Sequence, residues 1–511
     1  MENNLCTTAR KLCQIINRNN SLSHRLPPET LAMVASHLED DASLIAATHV
    51  CHLWRAALLS SPRLWSHLSF VNEKRALVFL ERSKSVPLYV DLTGADNPSE
   101  TVQELLRTIG TRVTALRGWH SPFLDVVLHQ STPVLELLDL IEVDQSVPRM
   151  PIQSFPSLKS LIIFGSIRAP FRAPCLTTFR LTYGVAPPPQ GGRSNSIAKF
   201  LRDCPLLEEV YVKYHEDRWI FPNLTTDARV SIPSLRSFTH ASSYQSVEIG
   251  LFNRLSLPPT CQVAFATSVA AGGNSLRFPN IPTLQDPFDL SNIACAKVTA
   301  RSNNPGSNRD ILHVLFIVEL VNSRGARISF EVESGRPANP SDYSLCGFPI
   351  VSERVEICSA KTLCLDNFGA PQDPMPEFNL VVTGESITQA LQSYGNLETL
   401  ILVESTRILF LVDFDSCSIF DTLVVYSSPV RVPPEVRGSV VDIIDQVGSI
   451  AVGRREAGFP IKALILVFGD DEETLRECQG ELEKLKSCVG HVQVVSGADA
   501  LDWDVDEYFL G

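Results

Sequence analysis

The chain has 511 residues, a formal net charge of −13 at pH 7, and a composition that is 44% hydrophobic and 20% charged. This much apolar material can bury a sizeable core, and the length allows two or more domains. Nucleic-acid binders and proteins that adhere to anionic membranes rely on basic residues, and the overall charge argues against both roles. We therefore expect a globular protein without a nucleic-acid or membrane partner.

The cysteines and the apolar runs indicate the cellular compartment in which such a chain is expected. There are 13 cysteines, an odd number, with no CxxC pair among them, so a reduced compartment is the simplest interpretation. The longest strongly apolar run, 311–321, is shorter than the ~20 residues that cross a bilayer. Residues 1–20 lack the apolar core of a secretory signal. We expect a cytoplasmic or nuclear location, or both.

The densest helical pattern lies close to the N-terminus. Residues 1–23 have weak helical spacing with Asn-rich flanks, which predicts a frayed helix or a flexible segment. A firm helix start follows Pro27, because proline is well tolerated in the first turn and Glu29 suits the positive end of the helix dipole. Its apolar positions, at the spacing of one helical stripe, are Leu31, Val34, Ala35 and Leu38.

Further helical segments follow directly. Asp40 or Asp41 can cap a helix that runs from Leu44 to Leu58, with a candidate break near His49. The sequence Ser60-Ser61-Pro62 stops it. Helices this short make a poor core by themselves, so the pattern predicts completion by a partner or a neighbouring domain.

A short phrase then recurs along the chain, with the form P-x-L-x-x-L-x-L. It appears at 132–143, 155–166, 173–184, 204–215, 232–243 and again at 394–405. It is typical of a leucine-rich-repeat strand, in which the leucines point inward and the residues between them face out. The register is marked by Leu135, Leu158, Leu176, Leu207 and Leu235, at irregular intervals. Outward candidates for partner contact are Lys159, Ser160, Glu208 and Glu209.

The segments between and after these phrases are less regular. Helices are predicted over 194–204 and 385–395, each just before a phrase, and a β-hairpin over 311–334. A further repeat strand is indicated at 361–368, and a strand–helix–strand unit at 461–495. Most of 251–380 remains unassigned from sequence, and 497–511 is predicted to be a loose acidic tail.

No motif that carries catalysis or holds a cofactor emerges from the sequence. The turn at Gly469-Asp470-Asp471 places acids where a phosphate needs N–H groups and positive potential. His49, Cys51 and His52 lack a second ligand pair at zinc spacing. We therefore expect no catalytic residue, no cofactor and no metal. An enzyme within 251–511 stays open as a hypothesis that a pocket with converging ionisable groups would support.

The stretch 26–65 resembles the F-box. The matching pieces are Leu26-Pro27-Pro28-Glu29, Leu31, Val34, Leu38, the acidic turn 39–41, Leu44, the V-C-x-x-W-R run at 50–55, and Leu64-Trp65. The repeats behind it resemble the leucine-rich-type substrate domains of fungal F-box proteins. The resemblance implies an α/β fold: a small three-helix F-box over 24–70, followed by an irregular leucine-rich-repeat-like solenoid over 71–496.

The resemblance also implies a function. F-box proteins are substrate receptors of SCF ubiquitin ligases, in which the F-box docks on a Skp adaptor held by cullin and RING subunits. The repeat domain would present a protein substrate of unknown identity, and the chain itself would make no bond. An alternative is a protein-interaction scaffold outside ubiquitination, whose F-box-like helices only cap the repeat array.

Residues carried over by position give the expected adaptor-facing or adaptor-supporting surface: Leu26, Pro27, Leu31, Val34, Leu38, Val50 and Trp54. The sequence departs from the family pattern at Ala35, where phenylalanine is frequent, and at Thr30, where isoleucine is common. His52 stands at a position that is often basic. Exposure of Leu26, Leu31 and Val34 would favour docking, and burial of the stripe against 71–150 would favour capping.

Overall fold

The structure is a computed structural model, and it divides into two compact units, residues 1–178 and 179–511. The predicted N-terminal segment, apart from residue 11, and the predicted acidic tail lie outside the described residues. The described residues are 26–38, 40–93, 99–119, 132–143, 153–165, 171–183, 200–214, 229–242, 255–269, 293–303, 313–334, 360–366, 391–392, 394–403, 420–427, 440–468 and 478–496, with the single positions 11, 252, 288, 388, 409, 414 and 476.

The N-terminal helices form as the sequence predicts. They are α1 (Pro28–Ala35), α2 (Asp41–Ala47) and α3 (His52–Leu59), followed by a 3-10 turn at Pro62–Trp65. The backbone N–H of Ser43 donates to Asp40 Oδ1 at 2.8 Å, so Asp40 caps α2. Hydrogen bonds from Ser43 lower the pKa of Asp40. The break between α2 and α3 falls at the position expected around His49.

Trp65 anchors these helices to the next elements of the first unit. Its indole N–H donates to the carbonyl of Leu58 at 2.9 Å, and its ring meets Phe79 edge-on at 4.9 Å. The guanidinium of Arg82 lies 4.5 Å from the centroid of the same ring. Phe79 and Arg82 belong to α4 (Glu73–Ser83), which begins at the capping side chain of Asn72. One fully buried indole therefore joins α3 to α4.

A parallel sheet forms the rest of the first unit. Its strands pair side by side in the order β1 (His67–Ser69), β2 (Leu88–Asp91), β3 (Val113–Trp119), β4 (Leu137–Val143) and β6 (Ser160–Gly165). Between β2 and β3 lie α5 (Glu100–Ile109) and a 3-10 turn at Gly110–Arg112. The short strands β5 (Gln153–Ser154) and β7 (Phe171–Arg172) form a separate parallel pair.

The recurring phrase produces one recurring local structure. At β6, the N–H of Leu158 donates to the carbonyl of Phe155 and buries both side chains, and the N–H groups of Lys159 and Ser160 then donate to Glu136 O at 2.8 and 2.9 Å. The turn is repeated at Leu135, Leu176, Leu207 and Leu235. The paired donation is repeated at 177–178, 236–237, 398–399, 421–422 and 462–463. The predicted register of buried leucines is confirmed, and the strands are those of a solenoid-like array.

The second unit continues the pattern with more strands. Its strands pair side by side in the order β9 (Glu209–Tyr214), β11 (Ser237–Ser242), β13 (Gln262–Val269), β16 (Arg327–Ser334), β15 (His313–Asn322), β14 (Ile293–Asn303), β17 (Thr362–Asp366), β18 (Thr399–Val403), β19 (Thr422–Ser427), β20 (Ala463–Phe468) and β21 (His491–Ser496). The helices α6 (Val440–Glu456) and α7 (Gln479–Cys488) accompany the last strands. β8 (Thr178–Tyr183) starts at the boundary between the units, and β10 (Val230–Ser231) pairs with β12 (Leu255–Ser256).

The predicted hairpin at 311–334 is confirmed as β15 and β16, which are antiparallel. The side chain of Asn322 accepts the N–H groups of Arg324 and Ala326, each at 3.0 Å, and Gly325 adopts φ +79°, where glycine carries no steric penalty. β15 is also antiparallel to β14, so it runs against both of its neighbours in an otherwise parallel array. The rest of the predicted strand pattern in this unit is confirmed by β17 and by β20–α7–β21.

The expectation that the residues between the leucines face outward is wrong for the phrase at 394–405 and for the strands beside it. In β17, β18, β19 and β20 the residues between the leucines are buried as well, for example Cys364, Ile401, Val424 and Ile465, which pack in one cluster. Parallel strands covered on both faces carry near-continuous apolar runs instead of alternation. The outward positions of the solenoid-like strands are therefore open in the first unit and closed in this part of the second.

A histidine is buried among the phenylalanines of the second unit. His240, in β11, is 3% exposed, and its ring lies edge-on to Phe265 at 6.3 Å. Phe265 in turn contacts the rings of Phe252 and Phe330. Burial lowers the pKa of His240 from 6.5 to about 4, since the charged form is desolvated in the folded chain.

This lowered pKa predicts acid sensitivity. Between pH 6.5 and 4 the unfolded chain binds a proton at His240 that the folded chain does not, so stability falls as the pH falls. At pH 5 the loss is about 2 kcal/mol relative to pH 7.5. Urea unfolding of the full chain at both pH values measures it, and His240→Phe should remove this part of the difference. An equal pH dependence in both proteins would contradict the assignment.

Candidate functional site

Helix α1 presents two different faces. Leu31 is 0% exposed and Ala35 is 2% exposed. The helix packs against α3, whose buried residues are Ala57 and Leu58. The inner side of α1 therefore completes the small helical core, and the other side is left without cover from the described residues of that core.

Large apolar side chains are exposed on the other side and in the following helical region. Val34 is 46% exposed and Val50 is 66% exposed. Scattered single apolar residues are normal on a protein surface, but a concentration of them within one short segment is typical of an interaction site. We call this group the exposed apolar set; its members are Leu26, Met33, Val34, Leu38 and Val50.

The residues expected to serve the adaptor do not all reach the surface. Pro27 is exposed at the N-cap position of α1, and Trp54 in α3 is half-buried. Leu31 is buried, so it can act only by supporting α1 from beneath. Met33 was absent from the expected adaptor residues although it is the most exposed large apolar side chain of α1. Its position beside Val34 on the same helix was the signal that could have found it.

The position of Ala35 in the helical core accounts for its small size. It occupies the position where the family frequently has phenylalanine, and it points into the core between α1 and α3. The small side chain therefore removes nothing from the exposed apolar set. Its size is instead matched to the close packing of α1 on α3.

Side-chain contacts of Asp41 tie α2 to the elements that follow. Arg75 Nε lies 3.3 Å from Asp41 Oδ2, and His67 Nδ1 lies 3.8 Å from Asp41 Oδ1. The His67 ring also lies 4.7 Å from the ring of Tyr89 on β2. Each such contact contributes little stability where water screens it. Together they link α2 to α4, to β1 and to the first strands of the sheet.

The open face of the first sheet carries a row of charges. Asp91, Arg117 and Asp139 are register partners on β2, β3 and β4, and Arg117 Nε lies 3.2 Å from Asp139 Oδ2. Burial raises the pKa of Asp139, and the guanidinium of Arg117 opposes that shift. Trp119, at the end of β3, and Phe164, on the neighbouring strand β6, are exposed as well. This face combines charge with exposed aromatic surface.

The outward candidates expected from the repeats lie at the starts of strands. Lys159 pairs with Glu136 at 3.0 Å, and Glu208 lies 3.8 Å from Arg236. Ser160 and Glu209 are the first residues of β6 and β9. Lys159 and Glu208 therefore bridge neighbouring repeats at one edge of the strands.

The described residues contain neither a candidate metal centre nor a candidate membrane-spanning helix. Within the described parts of the chain, no group of three or more His, Cys, Asp or Glu side chains could hold a metal ion. His49 and His52 are exposed, and Cys51 is half-buried. Among the described helices, none is long and apolar enough to cross a membrane.

Residues 23–71 match the family model described as F-box-like. These residues are an F-box-like domain. The domain indicates a protein-interaction or ubiquitin-ligase adaptor role for the chain, and domains of this kind generally bind Skp adaptors. Of the residues that suggested it from sequence, Leu31 and Val34 lie in α1, Leu44 in α2 and Trp54 in α3, so the helical fold and the family match agree.

Comparison of the whole chain adds little. No curated protein matches it. Among solved structures, the crystal structure of Listeria monocytogenes InlP is similar at 11% sequence identity, over 54% of this chain and 90% of that chain. The TM-score is 0.15, which is too low to carry an argument about the fold.

The burial of Ala35 predicts a test of the inner face. Ala35→Phe should lower the unfolding free energy by about 1–3 kcal/mol, because a ring must be forced between packed helices. Val34→Phe, one residue away but exposed, is the matched control and should change stability far less. Thermal unfolding of the full chain measures both. Equal stability of the two variants would mean that Ala35 does not face the core.

Proposed function

We propose that this chain is the substrate-recognition subunit of an SCF-type ubiquitin ligase. The observation that carries the proposal is the exposed apolar set on an F-box-like domain. Apolar surface that the chain leaves uncovered is stabilised by a partner that buries it. The partner proposed is the Skp adaptor, and through it cullin and RING subunits.

The proposed docking surface separates contact residues from supporting residues. Contact is assigned to the exposed residues among those named from sequence, together with Met33. Leu31 supports α1 from the core. Trp54 is half-buried, so it can take part in both contact and support. The contact residues are Leu26, Pro27, Met33, Val34, Leu38 and Val50.

The substrate is proposed to bind the open face of the first sheet. Arg117 and Asp139 offer charged hydrogen-bonding groups, and Trp119 and Phe164 offer the aromatic contact that dominates many protein interfaces. The chain makes no bond in this scheme. It would bring a substrate protein close to a conjugating enzyme held elsewhere in the assembly, in a cytoplasmic or nuclear setting.

The adaptor surface is tested with one exposed valine. Val34→Asp should lower affinity for purified Skp adaptor at least tenfold, because a charge would be buried in an apolar contact. Val441→Asp, on α6 and 43% exposed against 46% for Val34, is the control and should bind normally. Calorimetric titration of each full-length variant measures affinity, and unfolding curves check that both are folded. Normal binding by a folded Val34→Asp protein would overturn the docking surface.

The substrate face is tested by affinity purification with the proteasome blocked. A variant with Trp119→Ala and Arg117→Glu should keep adaptor, cullin and RING subunits and lose proteins that the parent chain captures. Val34→Asp should do the reverse. Point variants are preferable to removal of 24–70, since that deletion would also take Trp65 away from Phe79. Loss of the same proteins in both variants would contradict separate adaptor and substrate surfaces.

The scaffold alternative has one observation in its favour. Trp65, at the end of the helical region, is fully buried against α4, and β1 pairs with β2. The F-box-like helices therefore also close one part of the first unit, as terminal elements of repeat arrays do. If adaptor binding is absent from the wild-type chain, the capping role alone accounts for these helices.

A further inference from the structure

A groove lies between α6 and α7, in the second unit. Its volume is ≈ 520 Å³, within the range of sites that hold a small molecule or a few side chains of a peptide. The groove exists because α6 presents Gly448, Ser449 and Gly453 toward α7. A Cβ atom on Gly448 would lie 3.8 Å from Leu485 Cδ2, so the two helices approach without filling the space beside them.

The charges along the groove are predominantly negative. Asp445 and Glu456 on α6 and Glu481 on α7 line it, together with Lys484. The ammonium of Lys484 is held by Glu481, with Nζ at 2.7 and 2.9 Å from the two carboxylate oxygens. That pair neutralises itself. The carboxylates of Asp445 and Glu456 remain, so the groove favours a cation.

The two carboxylates stand apart with an apolar floor between them. Asp445 and Glu456 are separated by three turns of α6, which places their backbones ~16 Å apart along the helix axis. Val452 and Leu485 line the groove between them. A ligand that matches these features has positive charges at its ends and an apolar group in its middle.

We propose that this groove binds a basic segment of a partner protein in extended conformation. In an extended peptide, residues four apart lie on the same side with a separation of ~13 Å, and the long stems of lysine or arginine cover the remaining distance. The residue midway between them faces the same side. The recognised pattern is therefore basic-x-apolar-x-basic, with the apolar side chain over Val452 and Leu485. This site is independent of the adaptor surface and of the proposed ligase function.

The experiment uses a fluorescent peptide of sequence Lys-Ser-Leu-Ser-Lys and the full-length chain. Fluorescence anisotropy should show saturable binding that weakens as salt rises to ~0.3 M. The peptide Glu-Ser-Leu-Ser-Glu should not bind. Failure of the lysine peptide to bind, or equal binding of the two peptides, overturns the proposal.

Variants separate the groove from general surface charge. Asp445→Asn combined with Glu456→Gln should weaken binding at least tenfold. Gly448→Leu, which fills the groove and keeps every charge, should weaken it to a similar extent. Val452→Arg is a second blocking variant that guards against loss of folding in the first, and unfolding curves are recorded for each. Glu483→Gln, a carboxylate of α7 outside the groove, should leave affinity within twofold. Unchanged binding in both folded blocking variants would show that the peptide binds surface charge elsewhere.

Discussion

Burial of alternate side chains along the parallel strands of the first unit holds the rest of that unit in place. Each leucine turn, such as Phe155 to Leu158, packs both of its ends inward, and the next two N–H groups donate to one carbonyl of the strand before. The backbone is thereby paired at the same point where the side chains are buried. The opposite face is left to Arg117, Asp139 and exposed aromatic rings, so the rule that builds the core also leaves a surface for binding.

The F-box-like domain likewise divides its apolar side chains between a buried core and an exposed surface. Helix α1 uses Leu31 and Ala35 for its own core and keeps Val34 and its exposed neighbours outside. Trp65 then joins the helices to α4. A domain this small buries too little apolar surface to hide all of its large side chains. Its exposed apolar residues and its attachment to the sheet are therefore two consequences of its size.

Much of this arrangement could be predicted from local patterns, and the remainder depended on non-local pairing. The double proline and Asp40 located α1 and α2, and the repeated leucines located the strands. The division of the stripe into Leu31 and Ala35 inside and Val34 and Leu38 outside depended on where α3 packs, which no local spacing specifies. The hairpin of β15 and β16 was predictable from its turn, but the pairing of β13 with β16 and of β14 with β17 depended on partners far along the chain. The two-sided burial of β17 to β20 was visible in their continuous apolar runs.

Hydrogen–deuterium exchange of the full-length chain, with and without purified Skp adaptor, is the decisive measurement for the docking surface. The proposed adaptor contact lies on the exposed side of α1 and on the residues around Val50. We therefore expect slower amide exchange within 28–50 when the adaptor is present, and unchanged exchange within 461–496. Unchanged exchange within 28–50 at saturating adaptor, or slowing confined to the strands, would contradict it.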